Sequence, residues 1–294
     1  MLFYGFLNMK KRFFPFLLIF FLLSGLLSAE GAISDFTEEK VEEFITMRVA
    51  LKSEDITVAL EKISALRDKV LGELPVLAKD FEQEECILES MYFMEMYDRL
   101  LTSNGNQKEL RDKMKLQMQK DIKCINERKK GAVSEWLYLF AGDVTAYYMT
   151  RSVAATLLHG MKVKGFYEAS VQANDKRAAA HVCLGNWMFY APSVLGGGKK
   201  RAKAQFDAAL SCAEIKGEKY MAYVAYSQLS FENNEKAVAS EYLEKAVDLG
   251  LGRRELDVMF KCNEKGYSHF QYLRNRSGID EEMAEDEKDE DDKK

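Results

Sequence analysis

Six consecutive residues, Gly196-Gly197-Gly198-Lys199-Lys200-Arg201, form the densest candidate for chemistry in this sequence. Three glycines leading basic residues into a helix would offer free N–H groups and a positive helix end to an anion. A phosphate-binding P-loop needs Gly, four residues, then Gly-Lys and a hydroxyl residue. Here Ser193 holds the first glycine position and Lys200 the hydroxyl position. The run reads instead as an extended turn between helices, its glycines permitting positive φ. The three histidines, His159, His181 and His269, have no metal-ligand spacing. His181, on a helix face near Leu184, reads as a packed or rim residue. The five cysteines, Cys86, Cys124, Cys183, Cys212 and Cys262, include no CxxC pair. Cys183 and Cys212 fall on paired helices, which leaves a bridge open, but buried free thiols are the preferred reading. The carboxylate pairs Glu42-Glu43 and Glu84-Glu85 read as solvated helix faces. No Ser/His/Asp or Cys/His set can be assembled from sequence order. The chain is expected to be no enzyme and to need no cofactor or metal.

The elements that must position these residues are helices. After the first thirty residues only Pro75 and Pro192 remain, both at plausible breaks. Ala, Leu, Glu, Lys and Met abound, and alternating Val/Ile/Thr runs are missing. Composition and period therefore predict an all-α fold. Ser34-Asp35 offers an N-cap, with Val41, Phe44, Ile45 and Val49 on one face behind it. A second helix is expected from Ser53 or Asp55 to Leu71 with Val58, Leu60, Ile63 and Leu66 inward. A third is expected from Val76 to Thr102 with Phe81, Ile87, Leu88, Met91 and Met94 inward. Gln107–Lys129 follows, then pairs over 132–151 and 153–174, 176–190 and 199–215, and 219–232 and 235–249. Two short closing helices are expected over 253–262 and 267–274. Two apolar stretches stand out. Met91-Tyr92-Phe93-Met94-Glu95-Met96-Tyr97 is apolar almost all round, and Trp187-Met188-Phe189-Tyr190 borders the glycine-rich turn. Each reads as core first and as a binding groove second.

The last third of the chain echoes itself. Tyr167-Glu168-Ala169-Ser170-Val171, Phe206-Asp207-Ala208-Ala209-Leu210 and Leu243-Glu244-Lys245-Ala246-Val247 share one pattern of aromatic or Leu, acidic, small and apolar residues. They recur at roughly 35–40 residues, the signature of a helical repeat array. With Leu184-Gly185 on a first helix, Ala202, Phe206 and Ala209 on a second, and Ala239, Leu243 and Ala246 on the next, residues 132–251 resemble the tetratricopeptide repeat superfamily. Upstream, Trp136, Leu139 and Tyr147-Tyr148 suit a first helix. The pattern departs at His181, where an aromatic is usual, and at the long Pro192–Gly198 turn. The run from His181 through Gly198 into Phe206-Asp207-Ala208-Ala209-Leu210 is also similar to the helical component associated with TRAP transporters. That resemblance implies a periplasmic helical scaffold that docks a solute-binding protein, with a groove or pore for an apolar ligand.

Both ends are set apart. Lys10-Lys11-Arg12, an apolar run from Phe13 to Leu27 and Leu27-Ser28-Ala29 have the layout of a secretory signal peptide over 1–29. Fifteen apolar residues fall short of the about 20 that span a membrane. The leader looks bacterial and predicts a periplasmic or secreted protein. Residues 280–294 hold ten acidic and three basic side chains and should not fold. The body between is close to neutral, which excludes the basic footprint of a nucleic-acid binder. The expected plan is an N-terminal helical region over 30–131, tetratricopeptide-like pairs over 132–251 and closing helices over 252–279. The antiparallel pairs would stack as a short superhelix that works as a non-enzymatic scaffold for a peptide or partner protein. The alternative is a carrier of a small apolar ligand. Trp187, Tyr190, Tyr148, Lys199 and Lys200 are the expected partner-binding residues.

Overall fold

The computed structural model describes residues 33–281, apart from 53, 104–107, 130, 151 and 276–277. The expected leader over 1–29, Asn104-Gly105 and the acidic residues past 281 lie outside the described residues. Among those residues the chain forms helices and no strand.

Local sequence explains most helix starts. Ser34 accepts from Thr37 N at 3.2 Å and opens α1, Asp35–Leu51. Asp55 caps α2, Ile56–Leu77. That helix runs through Pro75, which was expected to break it. A proline this close to a C-terminus removes one backbone bond only, and the turn still closes through Ala78 N to Leu74 O at 2.9 Å. α3 spans Phe81–Ser103 and α4 spans Lys108–Asn126. Ser134 and Ser152 cap α5, Glu135–Met149, and α6, Val153–Ala173. α7, Ala178–Tyr190, runs through the 3₁₀ turn Ser193–Leu195 into α8, Lys199–Cys212. α9, Lys216–Glu232, and α10, Lys236–Asp248, follow. α11, Arg253–Glu264, and α12, His269–Arg274, follow, and residues 278–281 are helical again, with Tyr272 OH donating to Asp280 Oδ1 at 3.0 Å, so the segment expected not to fold does not begin at 280. A capping box between Ser268 and Gln271 starts α12.

Three hairpins dominate the packing: α5 with α6, α7 with α8, and α9 with α10. Successive hairpins stack, so the second half is a repeat-like all-α fold. Glycine sets how closely two of the pairs approach. A Cβ on Gly185 would lie 2.3 Å from the Phe206 ring, and one on Gly142 would lie 2.6 Å from the Tyr167 ring. Each aromatic therefore fills the space of a missing side chain. Upstream, α3 packs between α2, α4 and α5 and carries Ile87, Leu88, Met91, Tyr92 and Met94 into the largest core cluster. The Met-rich stretch is thus mainly core.

The first helix does not merely extend the N-terminal region. α1 lies across the side of the stack built from the first helices of the pairs. Trp136 Nε1 of α5 donates to Glu38 Oε2 at 2.9 Å. Arg177, before α7, is ion-paired with Glu38, with Glu42 at 3.0 Å and with Glu135 at 3.2 Å. Gly217 N of α9 donates to Thr46 Oγ1 at 3.2 Å, and a Cβ there would lie 2.6 Å from the Ile45 carbonyl oxygen. Lys52 reaches Glu255 of α11 at 2.5 Å. Val41, Phe44 and Ile45 are buried in the same cluster as Trp136, Phe140 and Ala179.

Several expectations need correcting. Glu84 is not on a solvated face. It is fully buried and accepts from Ser34 N at 3.0 Å, Lys79 N at 2.8 Å and Asp80 N at 3.0 Å, and from the Ser34 and Thr37 hydroxyls. Val58 and Phe81 are exposed, because α2 buries Ala59, Ile63, Val70 and Leu74, with Leu66 and Leu71 packed beside them, and Phe81 is the first residue of α3. Cys183 and Cys212, by contrast, are both free, as preferred over a bridge. Cys183 faces Asp143 in one core cluster, and Cys212 packs in another.

Candidate ligand cavity at the end of the first helix

α1 stops at Leu51, and the stack continues past it. A cavity of about 440 Å³ remains between the last turn of α1 and parts of α3, α5, α7, α9, α11 and α12. Apolar walls come from Val49, Val182, Met221, Val224, Phe270 and Leu273. Polar groups come from Arg48, Lys52, Asp98, Arg99, Asn186, Tyr190, Tyr220, Gln228, Arg254, Glu255 and His269. A concave shape, apolar walls and a few converging polar groups are the usual make-up of a small-molecule site.

The charges at its floor are organised. Glu95, fully buried on α3, is flanked by Arg48 Nε at 2.9 Å and Arg99 Nη2 at 2.5 Å. Arg99 Nη2 also donates to the Arg48 carbonyl at 2.8 Å, which ties the last turn of α1 to α3. Burial opposes the charge on Arg48, but Glu95 and the nearby Tyr147, Asp143 and Asp98 overcome it and raise its pKa. Asp98 accepts from Tyr147 OH at 3.0 Å, and burial, with Glu95 adding, pushes its carboxyl above the usual range. Asp143 accepts from Tyr167 OH at 2.8 Å and is likewise raised by burial. At the far wall Glu255 accepts from Tyr220 OH at 2.7 Å. Burial works to raise its pKa, but Lys52 and His269 hold it below the ordinary value. Asn186 Oδ1 is buried at the cavity wall and has no hydrogen-bond partner within the described protein.

Of the five residues expected to bind a partner, only Tyr190 lines this cavity. Trp187 turns towards α6, where its Nε1 donates to Gly160 O at 3.1 Å beneath Lys164. Tyr148 is packed with Arg111 and His159. Lys199 pairs with Glu232 at 3.0 Å, and Lys200 is exposed on α8. The five residues therefore do not share one surface. The glycine-rich turn is no anion cradle, because its N–H groups are used. Gly197 N donates to Pro192 O at 3.1 Å and Gly198 N to Met188 O at 2.7 Å. His181 bridges Gln205 Oε1 at 2.8 Å and the Asp175 carbonyl at 2.9 Å, as a packed residue does.

Sequence reasoning missed Arg48, Glu95, Arg99, Asn186 and Glu255. A faint signal existed in the ionisable pair Glu95 and Arg99, one helical turn apart beside a Met-rich face.

Two further features bear on function. On α6, Val153, Leu157, Leu158 and Met161 are 79, 83, 69 and 52 % exposed and form an uncovered apolar face. Among the described residues, no helix is long and apolar enough to cross a membrane, and no three His, Cys, Asp or Glu side chains gather as a metal site requires. No family model matches the chain, and no curated protein matches it.

Proposed function

We propose that this protein is a non-enzymatic binding protein that holds one small amphipathic molecule in the cavity beyond α1. The observation that carries this is the seat of α1. Helical repeat arrays hold partners along their inner surface. Here α1 covers the first helices of the pairs, so a long peptide has no groove, while the part it leaves open is a chamber of ligand size. The unpartnered Asn186 oxygen supplies an acceptor for a ligand N–H or O–H group. Native mass spectrometry of the full chain purified from its own host should show an added small-molecule mass. Val182→Trp, which fills the cavity, should lose that mass while keeping its helical circular dichroism. A bare wild-type chain, or an adduct unchanged in Val182→Trp, would sink the assignment.

A second reading rests on the α6 face. Leu157 and Leu158 expose the kind of apolar surface that marks protein docking. It fits the scaffold role, with a periplasmic solute-binding protein as the partner that the TRAP-transporter resemblance implies. Leu157→Ser with Leu158→Ser should then abolish cross-linking to that partner in the cell envelope without changing stability by more than about 0.5 kcal/mol. Equal cross-linking by the variant removes the scaffold reading and leaves the cavity reading in place.

A further inference from the structure

Away from the cavity, Cys86 of α3 and Cys124 of α4 meet inside the N-terminal region. Both are buried in one core cluster, where the two thiols interact, and Gln117 Nε2 of α4 reaches the Cys86 carbonyl at 3.5 Å. On one side Arg128 Nη1 lies 2.6 Å from Cys124 Sγ and donates to the Cys124 carbonyl at 2.9 Å. Asp80 anchors that guanidinium at 2.7 Å. On the other side the Cys86 thiol lies within reach of Asp121, which accepts from Ser90 Oγ at 2.7 Å and Gln117 Nε2 at 2.8 Å. Carboxyl, thiol, thiol and guanidinium thus stand in a line. A merely packed pair of cysteines has no use for the cation at one end or the buried acid at the other.

We propose that Cys86 and Cys124 are a redox couple that closes to a disulfide on reaction with a hydroperoxide, Cys124 attacking and Cys86 resolving. A small oxidant fits thiols this buried, and Cys124 lies in the last turn of α4, where a helix frays first. The Cys124 thiolate, held by Arg128, attacks one peroxide oxygen. The O–O bond breaks, the leaving oxygen takes a proton, and Cys124 becomes a sulfenic acid. Cys86 passes its proton to Asp121, and its sulfur attacks Cys124 Sγ. The S–O bond breaks, and the departing hydroxide takes that proton and leaves as water. Two thiols are oxidised to one disulfide, and hydrogen peroxide is reduced to two waters. The surroundings, with Arg128 against its sulfur, make Cys124 the attacking thiol. The hydrogen bond from Cys86, opposed by burial and aided by Arg128, lowers the Cys124 pKa. The same hydrogen bond and burial raise Cys86, which stays a thiol until Asp121 takes its proton during the attack. Burial pushes Asp121 up to about 7, against its hydrogen bonds from Ser90, Gln117 and Cys86 and the charge of Lys120. Asp80 and Glu82 are the acids that face Cys124.

The test uses the reduced full chain and hydrogen peroxide. Non-reduced digestion and mass spectrometry should show the Cys86 and Cys124 peptides linked, lighter by two hydrogens and separated again by dithiothreitol. Arg128→Gln should slow the linking about tenfold, and Arg128→Lys should restore most of the rate. Asp121→Asn should accumulate Cys124 sulfenic acid, trapped with dimedone. Both thiols remaining alkylatable in denaturant, or links to other cysteines in their place, would overturn the proposal. So would a linking rate indifferent to Arg128→Gln and Asp121→Asn. If those variants fail to fold, the site of the wild-type link decides alone.

Discussion

Phe206→Ala should destabilise the protein by about 3–5 kcal/mol, the range for removing a large buried aromatic. Phe206 is fully buried on α8, and its ring occupies the space over Gly185 of α7. Truncation leaves a hole that the α7 backbone cannot fill, because no side chain at Gly185 reaches into it. Domains are stable by only about 5–15 kcal/mol, so this loss is a large share of the total. It should appear as a lower urea midpoint with an unchanged m-value. The reverse change is informative too. Gly185→Ala alone brings a Cβ to within 2.3 Å of the ring and should destabilise. Combined with Phe206→Leu it should cost less than the two single changes added, because the shorter side chain makes room. Additive losses, or a Phe206→Ala loss under about 1 kcal/mol, would show that this pair does not set the helix spacing.

Glu84→Ala is expected to cost about 3–5 kcal/mol, because it strands three backbone N–H groups and two hydroxyls gathered from α1 and the α2–α3 turn. The pH dependence follows from the same contacts. Burial works to raise the Glu84 pKa, but the hydrogen bonds from Asp80, Ser34 and Thr37 override it and leave the pKa lowered. A group depressed in the folded state contributes stability above its unfolded pKa of about 4.3 and loses it as pH falls through the folded value. Glu38 and Glu218, whose pKa values burial raises, act in the opposite sense, so the wild-type curve alone is ambiguous. The difference between wild type and Glu84→Gln isolates the term. It should be largest near neutral pH and shrink on the acid side of pH 4.3. Hydrogen exchange should also rise first in the opening turn of α1. A pH-independent difference would mean that the carboxylate charge has no part in seating α1.

Much of the fold was legible because helix formation is local. Apolar residues at helical spacing, Ser caps at 34, 134 and 152, and glycines after helix ends all act within a few residues. The repeat was legible because Gly185 with Phe206 is a pairing of residue types at a fixed spacing. The cavity and the dithiol were not legible. Glu84 is 50 positions from Ser34, and Arg177 is 139 from Glu38. A local reading calls such side chains solvated, because polar residues on a helix usually are. Trp187 and Tyr148 attracted attention as aromatics, yet the turn of each helix aims them at neighbouring helices rather than into one groove.

By itself, then, the amino-acid order determined that the described chain is helical, where most helices start, and which pairs form hairpins. Those outcomes depend on caps, periodicity and short connections. Only the tertiary structure decided where α1 goes. Its seat rests on contacts to Trp136, Arg177, Gly217 and Glu255, which lie far along the chain and leave no periodic trace. That placement covers much of the expected groove and leaves a cavity at its end. The same long-range assembly brings Asp121, Cys86, Cys124 and Arg128 into one line, because α3 and α4 pack so that one turn of each faces the other.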